Sequence, residues 1–415
     1  MRKKLFGMMA ALLASAGVAH AQQSSNLNSS ALVQAQYGGA PMADAGQVYP
    51  GAGSPNLGPY SQIQNQQTQP QAPTMQGATA NPSTCAPSCQ LCCPEPWKIH
   101  GWLGADFQMW FPPAMNLAPN LVTTGAGGTG AQLVGTSFPL PMILGFRIDT
   151  GMFTNPEESR GFQSITNSFF ANTGVITVTP AAGVAGPFVN TNGGATTVAL
   201  TAAGPNTFSA NTSFTDTDAN SIRRVIKGEN TSVYLIYGPK FATVEEDMTF
   251  TYNVAAGGPF AGPAAVLEEF HTRNYFIGGQ VGFWLKENLG AFVADLQAKC
   301  AVGYSYANLI VLGSNTDASN SQMFTNDRNI GYFGTNYFSV IPEVDGNLAL
   351  KVTDHIQVRI GYSFLAYLNV QRPGDQLVAA LAPVAGAGAH TAPVNPFTST
   401  TYVIHGLNVG ASWHY

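Results

Sequence analysis

From Trp102 onward the chain alternates apolar and mixed positions with a period of two. Leu103, Ala105, Phe107, Met109 and Phe111 share one face, opposite Trp102, Gly104, Asp106, Gln108 and Trp110. Successive side chains of a strand point to opposite sides, so this pattern predicts a sheet whose two faces meet different surroundings. The second half repeats it more clearly. Tyr275, Ile277, Val281, Phe283 and Leu285 lead through a turn at 286–290 into Phe292, Ala294, Leu296, Ala298, Cys300, Val302 and Tyr304. Phe338, Val340, Val344, Leu348 and Leu350 then oppose Ser339, Glu343, Asp345, Asn347 and Lys351. A tight turn near 353–355 leads to Ile356, Val358, Ile360, Tyr362, Phe364, Ala366, Leu368 and Val370. These runs exceed the five or six residues usual in globular sheets and reach the roughly ten that cross a bilayer when tilted.

The connections sharpen the expectation. Short turns near 151–160, 227–231, 286–290 and 352–355 alternate with long Gly/Ala/Thr/Asn-rich stretches near 112–140, 171–212, 251–271, 307–336 and 371–400. Short turns on one rim and long loops on the other are the habit of transmembrane barrels. The pattern therefore predicts an all-β fold, a transmembrane antiparallel up-and-down β-barrel of about 10 strands. Eight or 12 strands stay open, because the pattern is weak at 161–169 and 213–226. A soluble β-sandwich is the rival that alternation alone does not exclude. The chain ends on Leu407, Val409, Ala411, Trp413 and Tyr415, and an amphipathic strand with a final aromatic is the expected signal for barrel-assembly machinery, carried by Trp413 and Tyr415.

Composition changes the picture in two places. Charged residues are 9% of the chain, against about 25% in typical globular domains, while Gly is plentiful at 45 residues. Too little charge is present to clothe a soluble surface, whereas a barrel's outer face is solvated by lipid. A net charge of −5 gives no basic patch for nucleic acid. The N-terminus differs from the rest. Arg2, Lys3 and Lys4 precede an uncharged apolar stretch, Leu5 to Val18, and Ala19-His20-Ala21 fits a cleavage site. This predicts a signal peptide at 1–21 and an exported chain. The run falls short of the roughly 20 residues of a membrane-spanning anchor. Residues 22–96 are rich in Gln, Asn, Ser, Pro, Gly and Ala without periodicity, as expected of a disordered periplasmic linker, and 97–415 is left as the barrel.

Cys85, Cys89, Cys92 and Cys93 cluster at the end of that linker. In an oxidising compartment they are disulfide candidates, with a thiolate metal site as the alternative; the spacing lacks two separated CxxC pairs. Cys300 sits alone in a strand pattern. No cofactor is expected.

Several segments resemble the β-barrel porin-7 family of bacterial outer-membrane proteins. They are Trp102 to Phe111 followed by Leu121-Val122-Thr123-Thr124-Gly125, then Thr272 to Gln280, Val340 to Val344, and Tyr362 to Asp375 with Asn369-Val370-Gln371-Arg372-Pro373-Gly374-Asp375-Gln376. The resemblance covers about 97–415 and departs at 213–230, which lacks a Trp-containing strand. It implies an outer-membrane barrel and supplies no substrate or catalytic residue.

On this reading the lumen is lined by Asp106, Arg147, Asp149, Asp295, Lys299, Glu343, Asp345 and Arg359. These charges either pair across a narrow interior and plug it or line a restricted pore for small polar solutes. Ten strands favour the plug, since eight already fill with side chains and open channels belong to about 16 or more. The family resemblance favours the pore. Enzymatic activity is not expected: His271 and His390 are the histidines near long loops, Glu268 and Glu269 accompany the first, and no nucleophile–base spacing attends them. A surface role for the long loops is the further alternative. Arg372-Pro373-Gly374-Asp375 reads as a turn above the rim, with a calcium or ligand contact through Asp375 as its alternative.

Overall fold

The computed structural model describes residues 100–117, 121–124, 130–180, 188–191, 196–256, 260–317, 324–325, 330–381 and 397–415. The chain divides into two units, Met1–Thr84 and Cys85–Tyr415, and all described residues lie in the second. The segments expected as signal peptide and linker, the cysteine cluster and His390 lie outside the described residues.

Ten antiparallel strands close into one barrel. They are β1 (Gly101–Phe111), β2 (Ile143–Phe153), β3 (Arg160–Thr177), β4 (Thr207–Lys227), β5 (Thr231–Val254), β6 (Ala264–Leu289), β7 (Phe292–Asn315), β8 (Gly331–Lys351), β9 (Ile356–Gln371) and β10 (Ser399–His414). Each pairs with its sequence neighbour, and β1 pairs with β10 to complete the ring. Gly101 and Tyr415 exchange backbone hydrogen bonds of 3.1 Å at that seam. Closure leaves no open edge, which lets strands satisfy their backbone in lipid. Among the described residues no helix is long and apolar enough to cross a membrane.

The expected alternation sets the two faces. On β1, Leu103, Phe107 and Phe111 are exposed on the outside while Trp102, Gln108 and Trp110 are buried inside. Leu285, Phe283, Val281 and Ile277 form the same outer band on β6. Cys300, a free thiol, lies on that outer face between Ala298 and Val302.

Three sequence expectations are corrected here. The stretch 251–271 is mostly strand: β5 runs to Val254 and β6 begins at Ala264, so His271 stands in a strand and not beside a loop. At about 3.4 Å per residue and a tilt near 40°, the 24 residues of β5 climb about 60 Å, roughly twice a bilayer's apolar layer. Val370 belongs to the interior rather than the outer face. The β9–β10 register slips between Tyr367 and Val370, with Asn369 at a φ of 62° in the left-handed region. That extra residue flips the following side chains to the other face, as a bulge does. Consequently Arg372 to Leu377 turn into the barrel instead of forming a turn above its rim. A helix, α1 (Pro373–Leu381), starts there with Pro at its first position and Asp375 in its first turn, both suited to a helix N-terminus. Gly374 is required by contact: a Cβ would stand 1.9 Å from the Asn116 carbonyl oxygen.

Candidate functional site

The interior of the barrel is the candidate site, and it is stratified. At the short-turn rim Trp102, Phe153, Ile222, Tyr234, Ile236 and Trp284 form an aromatic layer. The Trp102 and Trp284 rings lie 5.6 Å apart. Their indole N–H groups donate inward, Trp102 to Asp149 at 3.0 Å and Trp284 to Asp295 at 3.1 Å. Arg147, Gln297, Asn347, Gln357 and Arg359 help line a recess at this mouth.

Above it lie two ionic clusters. In the first, Arg359 donates to both carboxylate oxygens of Asp106 at 2.6 and 2.8 Å and to Asp149 at 3.3 Å. Gly104 makes the room, since a Cβ there would come within 2.6 Å of Arg359 Nη2. In the second, Lys240 donates to Asp216 at 2.5 Å, Asp218 at 2.9 Å and Glu343 at 2.8 Å. Lys299 reaches Asp218 at 2.6 Å and Glu343 at 2.8 Å. Arg147 donates to Asp345 at 3.1 Å, and Asp345 lies 4.0 Å from Lys299. The Lys240 and Lys299 side chains are at most 1% exposed. These pairs cross the lumen: β5 and β8 are separated in the sheet by β6 and β7, yet Lys240 bonds Glu343. Such geometry pairs every charge in the two clusters, as burial demands, while Arg147 Nε and Asp345 Oδ2 are left without a hydrogen bond. Asp216, Asp218 and Glu343 offer oxygens close enough to hold a metal ion, but the Lys240 ammonium already binds all three.

An amide relay ties this layer upward. Gln108 donates to Asn167 at 3.0 Å and Asn408 at 3.1 Å, Trp110 to Asn408 at 3.0 Å, and Asn167 to Asp216 at 2.7 Å. Then comes an apolar layer including Trp110, Phe169, Phe214, Val244, Phe276, Ile341, Leu365, Tyr367 and Tyr402. Higher still, Arg372 grips Glu246 with two hydrogen bonds of 2.8 Å. It also donates to the Ala114 and Pro113 carbonyls at 2.7 and 2.9 Å. Asp375 accepts from Asn116 at 2.7 Å and from Thr400 at 2.7 Å, so its carboxylate is spent on tying the helix to the wall. Met115, Leu121, Phe138, Phe208, Phe250, Phe270 and their neighbours form a further apolar cluster.

Of the eight residues expected to line the lumen, Asp106, Asp149 and Arg359 meet in the first cluster and Arg147, Lys299, Glu343 and Asp345 in the second. Asp295 stands apart at the mouth, beside Trp284. His271 faces outward, bonded to Asp247 at 2.7 Å. Sequence reasoning passed over Asp216, Asp218, Lys240, Glu246 and the inward Arg372. A signal existed for the first two, since Thr215-Asp216-Thr217-Asp218 holds period two; but hydroxyl residues on the outer face hid the usual contrast. Lys240 follows Gly238-Pro239, which reads as a turn.

A closed ten-stranded barrel with an apolar outer band and a charge-bearing lumen defines an outer-membrane β-barrel. Residues 102–415 match the model of the family described as Putative beta barrel porin-7 (BBP7), and the chain belongs to that family. No curated protein matches it. Solved structures similar to it include the outer membrane protease OmpT from Escherichia coli, at 8% identity and a TM-score of 0.38, covering 76% of this chain and 96% of that one. Another is CarO of Acinetobacter baumannii, at 12% identity and a TM-score of 0.21, covering 57% and 95%. A third is an anion-selective porin from Comamonas acidovorans, at 10% identity and a TM-score of 0.15, covering 77% and 99%.

Proposed function

We propose that this is an outer-membrane barrel whose lumen is closed by its own side chains, serving as a structural and surface-presenting element through its long-loop end. The observation that carries the reading is the cross-lumen network of Lys240 and Lys299 with Asp216, Asp218 and Glu343, roofed by an apolar layer. Water and solutes would have to part buried, hydrogen-bonded ion pairs to pass. Conductance of the refolded chain in a planar bilayer tests this. Stable insertion without discrete steps is expected; reproducible ohmic steps would overturn it.

The second reading is a narrow pore for small polar solutes, favoured by the family's description. The two clusters set four cations, Arg147, Lys240, Lys299 and Arg359, against six carboxylates, Asp106, Asp149, Asp216, Asp218, Glu343 and Asp345. Such a pore would prefer cations, and Arg359→Asn would strengthen that preference in the reversal potential under a salt gradient. In either case the partners are outer-membrane lipid and the assembly machinery that reads Trp413 and Tyr415, the short turns face the periplasm, and neither catalysis nor nucleic-acid binding is part of the role. The N-terminal residues serve as signal peptide and periplasmic linker.

A further inference from the structure

The outer face of β3 and β4 departs from the rest of the barrel. On β1 and β6 to β10 the outward positions of the band carry mainly large apolar residues such as Phe107, Phe283, Leu296, Val344, Ile360 and Leu407. Between Phe162 and Phe170 on β3 they are Ser164, Thr166 and Ser168, and on β4 Thr215, Thr217, Ala219 and Ser221. The Thr166 and Thr217 hydroxyls lie 3.3 Å apart across the two strands.

At the short-turn foot of this stripe Arg160 and Arg223 stand directly opposite each other in the ladder, both exposed. Like charges directly opposite destabilise a strand pair. Among the described residues no carboxylate lies within 4.0 Å of either guanidinium, and the Glu158 carboxylate in the adjoining turn is bonded to His100 at 2.9 Å. Glu157 and Glu229 sit in the flanking turns, and Lys227, exposed at the end of β4, adds a further cation. Arg160 is the first residue of β3 and points to the same side as Phe162, which is 52% exposed on the outer band. The pair sits toward the short-turn end of the outer band, with Val225 and Ile226 exposed beyond it on β4, and on the outer-membrane reading this end lies toward the lipid headgroups.

We propose that Arg160 and Arg223 hold a phosphate-bearing anion at this boundary, the headgroup phosphate of an anionic phospholipid in the periplasmic leaflet. Guanidinium groups match phosphate oxygens with paired hydrogen bonds, and an anion between them converts repulsion into a bridge. Ser221, the next outward residue above Arg223, offers a hydroxyl at the depth of the glycerol esters, and Phe162 an apolar surface for the acyl chains. The proposal rests on the outer-membrane reading but not on whether the lumen is open.

The test compares the full-length mature chain with R160Q/R223Q after refolding into phosphatidylcholine vesicles with or without phosphatidylglycerol. Vesicle flotation first scores insertion, and failure there would count against the membrane reading rather than the arginine site. Detergent extraction and native mass spectrometry then score retained lipid. Wild type should retain phosphatidylglycerol about tenfold more than phosphatidylcholine, and R160Q/R223Q should lose that preference while keeping the gel mobility of a folded barrel. Single R160K and R223K variants, which keep charge but not the fork, should retain an intermediate share. Equal retention of the two lipids by wild type, or undiminished preference in the double variant, would overturn the proposal. Millimolar inorganic phosphate that displaces the lipid would overturn the lipid source in favour of a free phosphate.

Discussion

The lower and upper halves of β5 follow the same two-residue alternation with opposite chemistry. Below, Lys240 points inward and Phe241 outward; above, Phe250 points inward and Thr249 and Thr251 outward. The changeover falls where Glu245 faces Arg273 and Asp247 faces His271 on the outer surface. Below that belt the surroundings are lipid, so the outside is apolar and polar groups must satisfy one another inside. Above it the surroundings are water, and the barrel is packed like the core of a soluble protein. One strand thus serves two solvents, and it is the medium outside that decides which face is apolar.

The largest expected break of this contrast is Lys240→Ala. It leaves Asp216, Asp218 and Glu343 without their shared cation, which should cost on the order of 3–5 kcal/mol. Urea unfolding followed by tryptophan fluorescence would read it, with a loss below about 1 kcal/mol showing that the layer is not a closed ionic core. Phe250→Ala removes a ring that lies 4.9 Å from Phe324 and 5.2 Å from Phe208, for roughly 3 kcal/mol. Its effect should be regional: the long-loop end becomes sensitive to protease while Trp102 and Trp284 keep their buried emission. If both halves yield together, the two are a single cooperative unit. Arg359→Asn sharpens the question of the lumen through the reversal potential described above. The smallest effect belongs to Cys300→Ala, on the lipid face with no buried partner, which should change stability by no more than about 0.5 kcal/mol. Its thiol should react with a membrane-soluble maleimide and resist a charged one; the reverse selectivity would place that face in water.

The same contrast explains how far the sequence could be read. Ten strands, their all-β closure and the short-turn, long-loop alternation were legible because period two is local and lipid sharpens it. Thr249 to Val254 kept the period but exchanged apolar-out for apolar-in, so a reading that equates apolar runs with the membrane ends the strand too early. Asp106, Asp149, Glu343 and Arg359 stood out because single charges opposite Phe, Val or Ile are conspicuous. Asp216 and Asp218 did not, since their outward neighbours are threonines. The inward course of Arg372 depends on one residue, Asn369, whose left-handed conformation reverses the parity, and no periodicity announces a bulge of that kind.

The seam between β1 and β10 is a ladder like any other, running from Trp102 opposite His414 to Phe111 opposite His405. The finished ring therefore has no privileged beginning. A short tether across Gly101 and Tyr415, with the backbone cut at the turn of Thr353 and Asp354, would give a circularly permuted barrel with the same neighbours throughout. Strand order along the chain then governs the route by which the ring is assembled, and not the ring itself.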